Sequence, residues 1–140
     1  MKILILNGPN LNLLGKREPN IYGATSFEAF LEAVKEEFSN HEIDYYQSNI
    51  EGEIIDILQK AENQHFSGII INAGGYAHTS VAIADAVASI TIPVISVHIS
   101  NIYQRESERH KELLAQYVEG GIFGLGINGY RLAIQHLVSL

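Results

Sequence analysis

Residues 68–101 read GIIINAGGYAHTSVAIADAVASITIPVISVHISN, and this stretch decides the fold. Its two ends, residues 68–72 and 93–99, are short runs dominated by Ile and Val. Such runs suit strands buried on both sides, because a sheet covered by helices on each face leaves neither side to water. Between them, residues 80–89 form a short Ala-rich helical stretch, which implies a crossover between parallel strands. Towards the N-terminus, residues 2–7 and 42–47 are two more strand-like runs. Residues 26–39 place Phe27, Phe30, Leu31, Val34 and Phe38 on one helical face, with Thr25 and Glu28 at the spacing of a capping box. Residues 51–64 repeat the pattern with Ile54, Ile55, Leu58 and Ala61. Towards the C-terminus, residues 121–125 read as a fifth strand and residues 129–140 as a closing helix with Leu132, Ala133 and Leu137 inward. Residues 109–118 allow a further helix. The expectation is an α/β fold: a flavodoxin-like, doubly wound, five-stranded parallel sheet in three layers, α/β/α, with right-handed crossovers.

The length of 140 residues predicts one domain over residues 1–140. Nine Lys and Arg against sixteen Asp and Glu leave a net charge of −7, which repels polyanions and argues against a nucleic-acid partner. With no Cys, disulfides, thiolate metal sites and Cys nucleophiles are all excluded, as suits a reducing compartment. The first apolar run, residues 3–6, is too short for a signal peptide or a membrane span, so a cytoplasmic protein is expected.

Open α/β sheets bind ligands beyond the carboxyl ends of their strands. Here those ends carry Asn7 and Asn10, then Gln47, Ser48 and Asn49, then Asn72, then His98, Ser100 and Asn101. Residues 8–24 make an unusually long connection from first strand to first helix, a candidate lid holding Lys16, Arg17 and Tyr22. Gly124, Gly126 and Gly129 spell a dinucleotide fingerprint, but too little chain follows to supply the second strand and the acidic ribose partner. Packing glycines are the better reading. The six His include no pair at metal-ligand spacing, so no metal is expected. His98 ends an apolar strand and must find a hydrogen-bond partner there or act on a ligand; the residues alone leave both open. Arg105 and Arg109 either pair with Glu106 and Glu108 or offer planar forks to a carboxylate or diol. His78 is one polar residue of a loop, and Asp85, inside a helix, faces solvent by default.

Taken together, the chain resembles the type II 3-dehydroquinate dehydratases. The resemblance runs through Leu6-Asn7-Gly8-Pro9-Asn10-Leu11-Asn12, Gly15-Lys16-Arg17-Glu18-Pro19, Tyr22-Gly23, Gln47-Ser48-Asn49, Asn72-Ala73-Gly74-Gly75-Tyr76-Ala77-His78-Thr79-Ser80, Asp85-Ala86, His98-Ile99-Ser100-Asn101 and Gly129-Tyr130. It implies a cofactor-free anti-elimination of water from 3-dehydroquinate to 3-dehydroshikimate through an enolate, in the shikimate pathway of aromatic amino acid biosynthesis. By the same resemblance Tyr22 is the base, Arg17 stabilises its phenolate, Asn10 holds a water at the enolate oxygen, and His98 is the acid. Asn72 with the backbone amides of Ile99 and Ser100 takes the substrate carboxylate, while His78, Asp85 and Arg109 hold the ring hydroxyls. It also implies trimers assembled into a homododecamer, with Asp85 reaching into a neighbouring site. No Lys ends a predicted strand, so a Schiff-base mechanism is excluded. A flavin- or nucleotide-binding module is the competing class; a receiver domain is disfavoured because the first strand ends in Asn-Gly-Pro rather than acids.

Three departures from the family pattern involve four residues. Ser96 stands where the family usually has Glu two residues before the strand-four His, which leaves that imidazole without a negative neighbour on its own strand. Ala77 replaces a Thr. Ser107-Glu108 replaces Pro-Phe, and Glu108 is expected to divert the Arg109 guanidinium.

Overall fold

The computed structural model describes residues 1–14 and 26–140. Five strands form one sheet: β1 (Lys2–Asn7), β2 (Glu42–Gln47), β3 (Gly68–Asn72), β4 (Val94–His98) and β5 (Gly120–Phe123). All four pairings are parallel and the order is β2-β1-β3-β4-β5. The helices are α1 (Phe27–Glu37), α2 (Glu51–Lys60), α3 (Val81–Ser89) and α4 (Asn128–Val138). This is the flavodoxin-like doubly wound order. Every residue of β3 and β4 is buried, as their apolar runs require.

Alternation along each strand divides the core between the two faces of the sheet. Leu4, Leu6, Ile69 and Ile71 pack with Ile54 and Leu58 of α2 and with Ile83 and Val87 of α3. Ile3, Ile5, Ile70 and Val97 pack with Leu31 and Val34 of α1 and with Ala133 and Leu137 of α4. The three layers follow directly. None of the helices among the described residues is long and apolar enough to cross a membrane.

Two local expectations need correction. The cap of α1 is Ser26, whose Oγ accepts from Ala29 N at 3.1 Å, while Thr25 lies outside the described residues. Residues 109–118 do not form an α-helix. A 3₁₀ turn covers Ser107–His110, and turns lead from there to β5. The reason is where the amides go: Leu113 N donates to Ala77 O at 2.8 Å, and Leu114 N donates to the Glu112 carboxylate at 3.2 Å. Tertiary and side-chain acceptors thus replace the i−4 carbonyls that a helix needs.

The switch point lies between β1 and β3, where the chain turns to opposite sides of the sheet. There Asn7 is in register with both Gln47 and Asn72. Gly8 N donates to Asn72 O at 2.7 Å, and a Cβ on Gly8 would lie 2.5 Å from Ala73 O. Only glycine lets the two strand-end loops meet. Gly8→Ala is therefore expected to destabilise the fold by at least about 2 kcal/mol, because the obstacle is backbone and not a movable side chain. Urea unfolding reads this directly, and an unchanged midpoint would show that the loops part without cost. The C-terminal glycines have similar uses. Gly124 and Gly126 take φ of 83° and 65° in the turn after β5, and a Cβ on Gly129 would press to 3.3 Å from Val97.

Candidate active site

At the carboxyl ends of β1, β3 and β4 a polar cavity of about 150 Å³ is lined by Asn10, Asn72, His78, His98, Ile99, Ser100, Arg105 and Arg109. Pro9, Leu11, Leu13 and Leu14 form an apolar side. Seven of the residues expected at a site therefore share one cavity: Asn10, Asn72, His78, His98, Ile99, Ser100 and Arg109. Asp85 does not; it is exposed on α3, away from this lining. Lys16, Arg17 and Tyr22 lie outside the described residues, as does the rest of the expected lid beyond Leu14.

Asn10 sits in the left-handed region, with φ of 69°, just before a 3₁₀ turn at Leu11–Leu13. Asn tolerates this conformation better than most residues. Its amide donates to Asn49 Oδ1 at 2.9 Å, and Gln47 Nε2 donates to Gly8 O and Asn49 Oδ1, both at 3.1 Å. The polar end of β2 thus braces the loop that presents Asn10.

Asn72 is braced from behind. Tyr130, fully buried on α4, donates its hydroxyl to Asn7 Oδ1 at 2.7 Å and accepts from Asn72 Nδ2 at 2.9 Å. Burial pushes the Tyr130 phenol well above its ordinary pKa, so it remains a neutral donor and acceptor. Asn72 Oδ1 accepts from Gly74 N at 3.1 Å. An amide nitrogen carries two hydrogens, so one of them remains available for a ligand in the cavity.

His78 and His98 stack, with ring centroids 5.8 Å apart and planes 26° from parallel. His78 Nδ1 lies 2.8 Å from Lys111 O; a carbonyl only accepts, so that nitrogen carries the proton. His98 is 8% exposed, and its Nε2 is buried without a hydrogen-bond partner among the described residues. Burial, reinforced by the neighbouring His78, lowers its pKa to about 4. His98 therefore meets no hydrogen-bond partner at Nε2 among the described residues, and it lines the polar cavity.

The cations sit at the rim. Arg105 Nη1 donates to Ser100 Oγ at 3.4 Å. Arg109 pairs with Glu106, not with Glu108 as the sequence suggested. Both belong to the turn around Ser107–His110, and a 3₁₀ turn eclipses side chains three apart while turning adjacent ones away. Glu106 is held below the usual carboxylate range by a hydrogen bond that its carboxylate accepts from its own backbone N–H and by Arg109. Among the described residues no three His, Asp or Glu side chains gather to hold a metal ion.

Two contributors escaped the sequence reading. Tyr130 had a signal, since a hydroxyl on the inward face of an apolar helix must meet a buried partner. Glu112 had none, because an irregular segment gives no periodicity from which to place its carboxylate beside His98.

Comparison with known proteins gives the same class. The profile of the family described as "Dehydroquinase class II" matches residues 1–138. The 3-dehydroquinate dehydratase of Campylobacter jejuni is 50% identical over 142 residues, covering 100% of this chain and 89% of that protein. The one from Clostridium beijerinckii is 52% identical over 139 residues, covering 98% of this chain and 95% of that protein. The crystal structure of type II dehydroquinase from Butyrivibrio crossotus superposes with a TM-score of 0.94 at 48% identity, covering 99% of this chain and 97% of that one. The chain belongs to the class II dehydroquinase family.

Proposed function

We propose that the protein is a 3-dehydroquinate dehydratase that converts 3-dehydroquinate to 3-dehydroshikimate by anti-elimination of water, without a cofactor, in the shikimate pathway. The observation that carries this reading is the buried His98 lining a polar cavity at the switch point beside Asn72, His78 and Asn10. Family membership supplies the substrate class.

The reaction begins when the Tyr22 phenolate, stabilised by Arg17, removes a proton from the carbon α to the ketone. Negative charge moves to the ketone oxygen, where a water held by Asn10 provides a dipole at the place where charge develops. As the enolate collapses, the C–O bond to the β-hydroxyl breaks and His98 delivers the proton that makes it water. The conjugated enone remains. The free amide hydrogen of Asn72 and the backbone amides of Ile99 and Ser100 hold the substrate carboxylate. That anion, placed beside His98, favours imidazolium and offsets the burial that keeps the ring neutral in the empty site. His78 and Arg109 hold ring hydroxyls.

Asp85 joins them from a second copy, as its exposed place on α3 allows, within trimers of a homododecamer. Full activity in a species that sediments as one chain would contradict that assembly. The activity itself is tested by mixing the purified protein with 3-dehydroquinate and following the ultraviolet absorbance of the enone. A rise is expected with no added metal or nucleotide, and a flat trace at micromolar protein would overturn the proposal.

A further inference from the structure

Behind the polar cavity lies a second one of about 220 Å³, lined by Ser96, His98, Glu112 and Glu119 among others. His98 stands between them, since it lines both. On this far side Glu112 Oε1 stands 4.0 Å from His98 Nε2, and both side chains are only 9% exposed. The same oxygen accepts from Leu114 N at 3.2 Å, which orients the carboxylate towards the ring. Glu119 also reaches this cavity, but it is paired with His136 at 2.8 Å. Ser96 lies on the same face of β4 as His98, two residues earlier, and contributes no charge. Among the described residues, the titratable and charged groups facing His98 from its other side are the stacked His78 and, across the cavity, the two cations Arg105 and Arg109.

A buried ring nitrogen with no hydrogen-bond partner among the described residues and a buried carboxylate one short step away are two halves of one interaction. We propose that Glu112 is the positioning residue of His98: it accepts a hydrogen bond from Nε2–H, fixes the ring's tautomer, and leaves Nδ1 to exchange the proton with the substrate. The separation closes by a small side-chain movement or through a single water, as catalytic contacts commonly tighten on substrate binding. The two nitrogens of an imidazole point to nearly opposite sides, so a carboxylate at Nε2 aims Nδ1 away from itself. Glu112 thereby supplies, from a turn in the distant segment before β5, the negative neighbour that Ser96 does not. Burial holds the Glu112 carboxyl above the usual range, and the Leu114 and Ala115 amides partly oppose this. The pair is consequently most sensitive to acid.

The proposal rests on His98 being the proton donor of the dehydration, and its test separates the two ideas. In the wild-type protein without substrate, long-range proton–nitrogen NMR at pH 8 is expected to show His98 carrying its hydrogen on Nε2; a hydrogen on Nδ1 overturns the proposal whether or not any variant folds. Glu112→Gln is expected to lower kcat at least about tenfold with KM within about twofold. It also moves the His98 titration to lower pH, because a nearby negative charge has been removed. Adding Ser96→Glu to Glu112→Gln restores a carboxylate on the same side of the ring and is expected to recover most of kcat. An unchanged kcat in the single variant, or no recovery in the double, sinks the idea. Full activity in His98→Asn would instead overturn the acid assignment, while the NMR tautomer still reports on Glu112.

Discussion

Tyr22→Phe is expected to reduce turnover of 3-dehydroquinate by about a thousandfold or more while leaving the urea unfolding midpoint within the error of measurement. General-base catalysis contributes factors of roughly 10² to 10⁴, and a phenyl ring cannot accept a proton at all. An ordinary phenol has a pKa near 10, so a base that works near pH 7 needs roughly 4 kcal/mol of preferential stabilisation of its phenolate. The only source proposed for that stabilisation within the lid is the Arg17 guanidinium. Arg17→Met accordingly gives a companion result with a definite sign. The rate falls at pH values below the base's pKa, and loss of the cation raises that pKa, so the acidic limb of the kcat profile moves towards alkaline pH. An unshifted limb would remove Arg17 from this role.

His98→Asn carries the second large effect, and it acts in opposite directions on rate and on stability. Loss of the acid is expected to lower kcat by about 10² to 10⁴, since the leaving hydroxyl must then depart without a proton from the protein. Stability changes for a different reason. In the folded protein burial lowers the His98 pKa to about 4, below its value of 6.5 in an unfolded chain. Between those values the unfolded chain binds the proton and the folded one does not, so stability is lost as pH falls from about 6.5 to about 4. The shift corresponds to roughly 3 kcal/mol at the acid end. His98→Asn removes that contribution, and its unfolding midpoint should fall less between pH 7 and pH 4.5 than the wild type's. Parallel midpoints across that range would mean that His98 is freely protonated in the folded state.

The strand runs of the sequence needed little correction because each was bounded by local chemistry. The end of β4 at His98 and the start of α3 after Ser80 follow from apolar runs meeting polar or capping residues. Residues 109–118 misled because their helical spacing is real, yet Leu113 and Leu114 have better acceptors elsewhere in the fold. Arg109 finds a different carboxylate from the adjacent Glu108 for a similar reason: the 3₁₀ turn presents Glu106 to it. The position of Asn72 in the cavity was legible from the strand-end rule. Its brace, Tyr130, stands 58 residues further along and was not assigned a partner.

By itself the sequence determined the alternation of strands and helices, the burial of β3 and β4, and the strand ends at which polar residues gather. These follow from periodicity and from side-chain type, which act over a few residues. Only the tertiary structure decided which polar groups face one another: Tyr130 behind Asn72, Glu106 on Arg109, and Glu112 behind His98. Such pairings depend on distances through space between segments far apart in the chain, and a buried group takes whichever partner the packing brings within reach.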